Sequence, residues 1–396
     1  MTIHNLSNTI ERALARAGLD TGSGSAKAMV ETIRRALEAA HIAQHPAGEH
    51  AQAANDDNQT IDVDARVVAD ELQPGPAPSV RAAPASVSAQ FLRFEYSSAS
   101  GSRAYKLFVP SSYRAEPMPL VVMLHGCKQD PDDFAAGTRL NQLAEEQGLL
   151  VAYPAQSARA NGSRCWRWFE PGDQARHGAE PSIIAGIVAR IGEAYRIDER
   201  RVFVAGLSAG AAMAVILGQT HPDVFAAVGA HSGLPHGAAH DVASAFAAMH
   251  GGGIHPAGAG AHAPAEAASS QGKAHSRGVP TIVFHGNRDA TVAPKNGLAI
   301  AERAVSTLAP HTGPLAREVQ DHTAQGRRST RTSYVDRDGL PWVEQWIVHG
   351  GGHAWSGGSA SGSFADPLGP DASREMLRFF LLHERREAVA LEAAAD

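Results

Sequence analysis

Apolar residues recur along this chain with two different periods, and the change of period divides it. In the first 44 residues Ile3, Leu6, Ile10 and Leu14 stand at helical spacing, and Met29, Ile33, Leu37 and Ala40 do so again. Thr21-Gly22-Ser23-Gly24-Ser25 lies between them, so the pattern predicts a helical hairpin over 1–44. Residues 45–88 lose the periodicity and end in a Pro/Ala-rich run, PGPAPSVRAAPAS, which predicts a disordered linker. From residue 89 the pattern turns to short apolar runs. AQFLRFEYSS and RAYKLFVPS read as a strand pair joined by a Ser/Gly turn. PLVVMLHG (119–126), LLVAYP (149–154), RVFVAG (201–206), FAAVGAHSG, VPTIVFHG and WVEQWIVHG read as further strands, apolar enough to be buried on both faces. Helical periodicity lies over 182–195 and 208–220. The alternation predicts an α/β doubly wound, mostly parallel sheet over 89–385. A Gly/Ala/His-rich stretch, 236–278, interrupts it as an expected flexible insertion; it has no His-Glu-x-x-His spacing and no nearby cysteine.

Composition changes this picture little. The chain has 396 residues, 43% hydrophobic and 19% charged, which is ordinary globular chemistry with material for a sizeable core. The first aromatic residue is Phe91, so the segment before it lacks the bulky groups that fill a core. A net charge of −6 supplies no basic field, and no nucleic-acid partner is expected. No apolar run reaches the roughly 18 residues of a membrane-spanning helix, so no membrane partner is expected either. The first twenty residues have no early basic cluster, and Glu11, Arg12 and Arg16 interrupt any apolar core; no secretory signal is expected, and the default location is cytoplasmic. Two cysteines exclude a four-cysteine zinc site and leave either one disulfide or two thiols.

Gly206-Leu207-Ser208-Ala209-Gly210 fits G-x-S-x-G, in which a serine sits on a sharp strand-to-helix turn above a sheet. The match gains weight from its context: an apolar strand, RVFVA, precedes it and a helix, AAMAVILGQT, follows it. A serine nucleophile needs a base, and the base an orienting acid, each just past the end of a strand. Asp289 follows VPTIVFHG and His353 follows WVEQWIVHG, in the chain order Ser, acid, His. Asp241 and Asp366 are rival acids that follow no predicted strand; His285 and His349 read as structural. Three glycines before His353 imply a backbone that comes close to something. The oxyanion hole is expected from the amides of Ala209 and Cys127, with Gly126 leaving room for the loop. Trp166, Trp168 and Trp355 are candidates for lining an apolar substrate cleft, or else for core packing. Cys127 and Cys165 could close a bridge beside the oxyanion loop if the surroundings are oxidising.

Taken as a set, PLVVMLHGCKQDPDDF, CWRWF, IDERRVFVAGLSAGAAM, HSGLPHGAA, HGNRDATV, GGGHAWSGG and SFADPLGPDASREMLRFF resemble the polyhydroxybutyrate depolymerase family of esterases, in the α/β-hydrolase superfamily. The resemblance implies a serine esterase with Ser208 as nucleophile, Asp289 as acid and His353 as base. It implies oxyanion amides from Cys127 and Ala209 and a Cys127–Cys165 disulfide; acyl transfer through a serine needs no metal or organic cofactor. Family members are often extracellular. Feruloyl and acetylxylan esterases are similar over much of the same region and give the alternative substrate class. A non-catalytic polymer-granule-binding protein is the alternative outside enzymes.

Overall fold

The computed structural model describes residues 88–252 and 278–385. The hairpin expected over 1–44, the linker up to residue 87 and residues 253–277 of the expected insertion lie outside the described residues.

Ten strands make one sheet. In chain order they are β1 (Gln90–Ser98), β2 (Gly101–Val109), β3 (Met118–Leu124), β4 (Leu150–Pro154), β5 (Ile197–Leu207), β6 (Ala227–His231), β7 (Thr281–Gly286), β8 (Ala316–Ala324), β9 (Arg327–Val335) and β10 (Pro341–Val348). Their spatial order is β1-β2-β4-β3-β5-β6-β7-β10-β9-β8. The run from β4 to β10 is parallel throughout, and the two hairpins, β1–β2 and β8–β9, are added antiparallel at its margins.

Helices cover both faces, which is why the central strands read as continuous apolar runs. On one side lie α3 (Ala179–Ala194), α4 (Ala209–Thr220) and α6 (Lys295–Thr312), packed on Leu120, Val122, Val202 and Val204. On the other lie α1 (Pro131–Thr138), α2 (Leu140–Gln147) and α7 (Ala372–Phe380), packed on Val121, Met123, Phe203 and Ala205. Adjacent strand residues thus point to opposite layers, each fully buried apolar side chain worth about 1.5–3 kcal/mol. Phe203 of β5 stacks on Phe380 of α7 with ring centroids 5.0 Å apart. Among the described residues no helix is long and apolar enough to cross a membrane.

Several elements escape the sequence pattern, α1, α2, α6 and α7 among them, and two further cases show why. The β8–β9 hairpin is almost wholly polar, and β8 is exposed along most of its length, so no apolar run marks it. Its signal is the turn: Gln325 and Gly326 both have positive φ (49° and 73°), as a tight two-residue hairpin turn requires. Inside the stretch expected as an insertion, α5 (Val242–Met249) forms under a capping box in which Asp241 accepts from the Ser244 amide and the Ser244 hydroxyl returns to the Asp241 amide.

Candidate active site

Ser208 stands where β5 turns into α4. Its backbone has φ 58° and ψ −120°, a strained conformation for a residue with a side chain, costing on the order of 1–3 kcal/mol. The flanking glycines make the turn possible. A Cβ on Gly206 would lie 2.5 Å from the Gly210 carbonyl carbon, and one on Gly210 would lie 2.1 Å from the Leu124 carbonyl oxygen. The turn is therefore pressed against the end of β3. The Ser208 amide is fixed by the His231 carbonyl at 2.9 Å, across to β6.

Two strands further along, the loops after β7 and β10 bring Asp289 and His353 together. His353 Nδ1 donates to Asp289 Oδ2 at 2.7 Å. A carboxylate only accepts, so Nδ1 carries the proton and Nε2 is left with its lone pair. The other carboxylate oxygen accepts from the amides of Thr291 (2.9 Å) and Val292 (2.8 Å), and His285 Nε2 lies 3.4 Å from Oδ2. Burial alone would raise the Asp289 pKa; hydrogen bonds from His285 and His353, the attraction of the His353 ring once it is protonated in acid, and the Val292 amide outweigh it and hold the group well below the usual carboxylate range. The close approach expected here is met from the β7 side: a Cβ on Gly286 would stand 2.3 Å from the Gly351 carbonyl, and the Arg288 amide donates to that same carbonyl at 2.9 Å; of the three glycines before His353, Gly350 has φ 75°, whereas a Cβ on Gly352 would meet nothing within 4 Å. The two loops are thus zipped backbone to backbone.

Ser208, Asp289 and His353 lie past the C-terminal ends of three parallel strands, β5, β7 and β10, hence on one edge of the sheet. Among the described residues the Ser208 hydroxyl makes no hydrogen bond to His353. His231 fills the layer behind. Its ring stacks on Phe284 and Trp355, accepts the Ser356 amide at Nε2 (3.0 Å) and lies 3.2 Å from the Ser232 hydroxyl. Burial, reinforced by the charges of His285 and His353, pushes its pKa down to about 3, so it is neutral.

The loop after β3 carries Cys127, half-exposed, beside the turn. The Cys127–Cys165 disulfide implied by the resemblance is present, with Cα atoms 4.3 Å apart. Side chains hold this loop from behind. Trp166 Nε1 donates to the His125 carbonyl (3.0 Å), His125 Nε2 accepts the Gln156 amide (3.0 Å), and Gln129 Oε1 accepts the Gly126 amide (2.9 Å). The Cys127 amide has no acceptor among the described residues, and the Ala209 amide, opening α4, has none within its helix.

The tryptophans require a correction. Trp166, Trp168 and Trp355 are 0%, 6% and 1% exposed, so they belong to the core rather than to a cleft wall. Trp355 spends its indole N–H on the Ser373 hydroxyl at 3.0 Å. Their CWRWF and HAW settings are apolar enough for either role, and only the packing separates the two. The rival acids have other tasks: Asp241 caps α5, and Asp366 pairs with Arg327 at 2.8 Å. His349 bonds the Thr330 hydroxyl at 2.8 Å. Gln129 and His231 were not legible as site residues, because nothing in their spacing sets them apart from core polar groups.

A family model described as "Esterase PHB depolymerase" matches residues 103–309, more than half of the chain. The chain belongs to this esterase PHB depolymerase family. Poly(3-hydroxyalkanoate) depolymerase C of Paucimonas lemoignei is 35% identical over 247 residues, covering 62% of this chain and 56% of that protein. Feruloyl esterase B of Neurospora crassa is 35% identical over 141 residues, covering 35% and 46%. The chain spans about half the length of the curated relatives it matches. Among solved structures, the acetyl xylan esterase from Aspergillus awamori superposes with a TM-score of 0.54 at 18% identity, over 74% of this chain and 99% of that one. With the parallel sheet and the helices on both faces, this is the α/β-hydrolase fold expected for the family.

Proposed function

We propose that this protein is a serine esterase that cleaves carboxylic esters of the hydroxyalkanoate type through an acyl-enzyme. The observation that carries the reading is the strained Ser208 turn on the same sheet edge as the 2.7 Å His353–Asp289 pair. In this mechanism His353 Nε2 takes the Ser208 proton as the hydroxyl attacks the ester carbonyl. Asp289 holds the Nδ1–H tautomer and stabilises the imidazolium. The amides of Cys127 and Ala209 receive the developing oxyanion, each such donor worth about 3 kcal/mol of barrier. The ester C–O bond then breaks, and the alcohol leaves with the proton from His353. Water, activated by the same imidazole, attacks the acyl-serine, releases the acid and restores Ser208. The chemistry calls for no metal or organic cofactor. The depolymerase relative matches over a larger share of the chain than the feruloyl relative, which favours hydroxybutyrate oligomers over feruloyl or acetylxylan esters.

The test is Ser208→Ala assayed on p-nitrophenyl butyrate and 3-hydroxybutyrate oligomers, beside fluorophosphonate labelling of the wild type. The expected outcome is a fall in kcat of at least about 10^4-fold with an unchanged melting temperature, and label on Ser208 alone. Full activity in the purified variant overturns the nucleophile. An unlabelled wild type that hydrolyses nothing favours the granule-binding alternative. Preference for methyl ferulate or acetylated xylan over the oligomers moves the substrate class.

A further inference from the structure

One exposed aromatic ring beside His353 has no role in the chemistry above. Phe364 is 44% exposed, and its ring meets the His353 imidazole edge to face, with centroids 6.5 Å apart at 80°. Its backbone φ is 49°, the left-handed region that a bulky residue rarely occupies. Both conditions count against the fold, because strain is retained and apolar surface stays wet.

The segment around it is nevertheless tightly fixed. The short strands β11 (Trp355–Ser356) and β12 (Ala365–Asp366) pair in parallel, and the Phe364 carbonyl accepts the Trp355 amide at 2.7 Å. Just before it, the Ser363 amide and hydroxyl donate to Asp133 at 2.7 and 2.6 Å, and Gln129 Nε2 donates to the Ser363 carbonyl at 2.9 Å. Just after it, Asp366 is paired with Arg327. An aromatic residue clamped on both sides, strained and turned outward is held in place for something other than packing.

We infer that Phe364 forms the wall of the site that receives the alcohol portion of the ester and selects an apolar alcohol. The inference rests on the esterase reading. In acylation the alcohol oxygen takes its proton from His353 Nε2, so the alcohol crosses the imidazole, whereas the carbonyl oxygen lies toward Cys127 and Ala209. A group beside His353 therefore meets the alcohol and not the oxyanion. An exposed ring gives an alkyl or aryl substituent a surface to cover.

The experiment holds the acyl group constant and varies the alcohol: ethyl, hexyl and benzyl butyrate, with the full-length wild type, Phe364→Ala and Phe364→Gly. The wild type is expected to prefer the hexyl and benzyl esters in kcat/KM. Phe364→Ala is expected to lose about tenfold more on these than on ethyl butyrate. A parallel series with fixed alcohol and varied acyl length should show no such differential. Phe364→Gly should lose the same selectivity yet melt no lower than wild type, since glycine adopts the left-handed backbone without strain. A loss equal across all alcohols, or one that tracks acyl length, overturns the inference while leaving the esterase reading standing. A selective loss accompanied by a lower melting temperature in Phe364→Gly overturns the claim that the strain serves binding. A wild type inactive on every ester defeats the esterase reading itself, and the inference falls with it.

Discussion

On the β7–β10 side of the cleft, side chains meet one another directly: His353 on Asp289, and Asp289 on the amides of its own turn. On the β3 side, the groups proposed to meet the substrate are the backbone amides of Cys127 and Ala209, and side chains fix the loop that carries Cys127. Trp166, Gln129, His125 and the Cys127–Cys165 bridge each bond this loop to its surroundings. The difference teaches where each half is vulnerable. A substitution in the first half changes chemistry at an atom, while one in the second half changes where an amide points and lowers stability on the way. Rate and stability should therefore separate on one side and move together on the other.

The largest effect falls on the first half. Asp289→Asn should cut kcat by about 10^4-fold, because an amide no longer dictates the Nδ1–H tautomer of His353. KM and the melting temperature should change little. A large stability loss in this variant, read by calorimetry, would erase the contrast between the halves.

On the other side, breaking the disulfide with paired Cys127→Ser and Cys165→Ser substitutions should lower both stability and kcat. The bridge closes a separation of 38 residues, for which the chain-entropy estimate is at most about 4 kcal/mol. Denaturant titration and steady-state kinetics on the same sample check it. Unchanged kcat after a clear stability loss would show that the loop keeps its shape without the bridge.

Gln129→Ala sharpens the same point with a smaller change. It leaves the buried Gly126 amide without its acceptor and frees the Ser363 carbonyl, at a cost of about 1–3 kcal/mol. The expected kinetic signature is a fall in kcat of about tenfold with KM nearly constant, since a displaced oxyanion donor acts in the transition state. A fall in KM-dependent binding alone would assign Gln129 to the substrate rather than to the loop.

The most gradual effect is acid lability. His231, pressed between the two halves, has its pKa lowered to about 3, mainly by burial and next by the charges of His285 and His353. His221 is lowered to about 4, first by burial and then by Arg176. A histidine that is less basic when folded favours the unfolded chain in acid. Its stabilising contribution is complete above the unfolded value of about 6.5 and is lost as pH falls toward the folded value. Each such group should approach a slope of about 1.4 kcal/mol per pH unit in that window. Urea titrations from pH 7 to 4.5 measure it, above the range of ordinary carboxylates. A flat stability across those pH values would mean that His231 is open to solvent.

The first contrast also explains how much could be read without coordinates. Ser208, Asp289 and His353 are legible as candidates because the proposed chemistry needs those residue types just past apolar strands, and strand ends are marked by the chain's own apolar runs. The central strands are legible for the same reason, being buried on both faces. The polar β8–β9 hairpin is not, since an exposed margin places no demand on hydrophobicity. Trp166 and Trp355 carry the opposite lesson: an indole suits a cleft or a core equally well by composition. Only its neighbours, the His125 carbonyl and the Ser373 hydroxyl, decide which.

By itself the sequence determined the central strands, the strand-to-helix turn at Ser208 and the candidates Asp289 and His353, because local periodicity and reaction chemistry each constrain residue type at a position. The tertiary structure alone decided that Gln129 serves both the Gly126 amide and the Ser363 carbonyl, that His231 lies neutral behind the cleft, and that Phe364 stands outward beside His353. These are contacts between segments remote in the chain, where burial and distance select the partner and no local pattern records the choice.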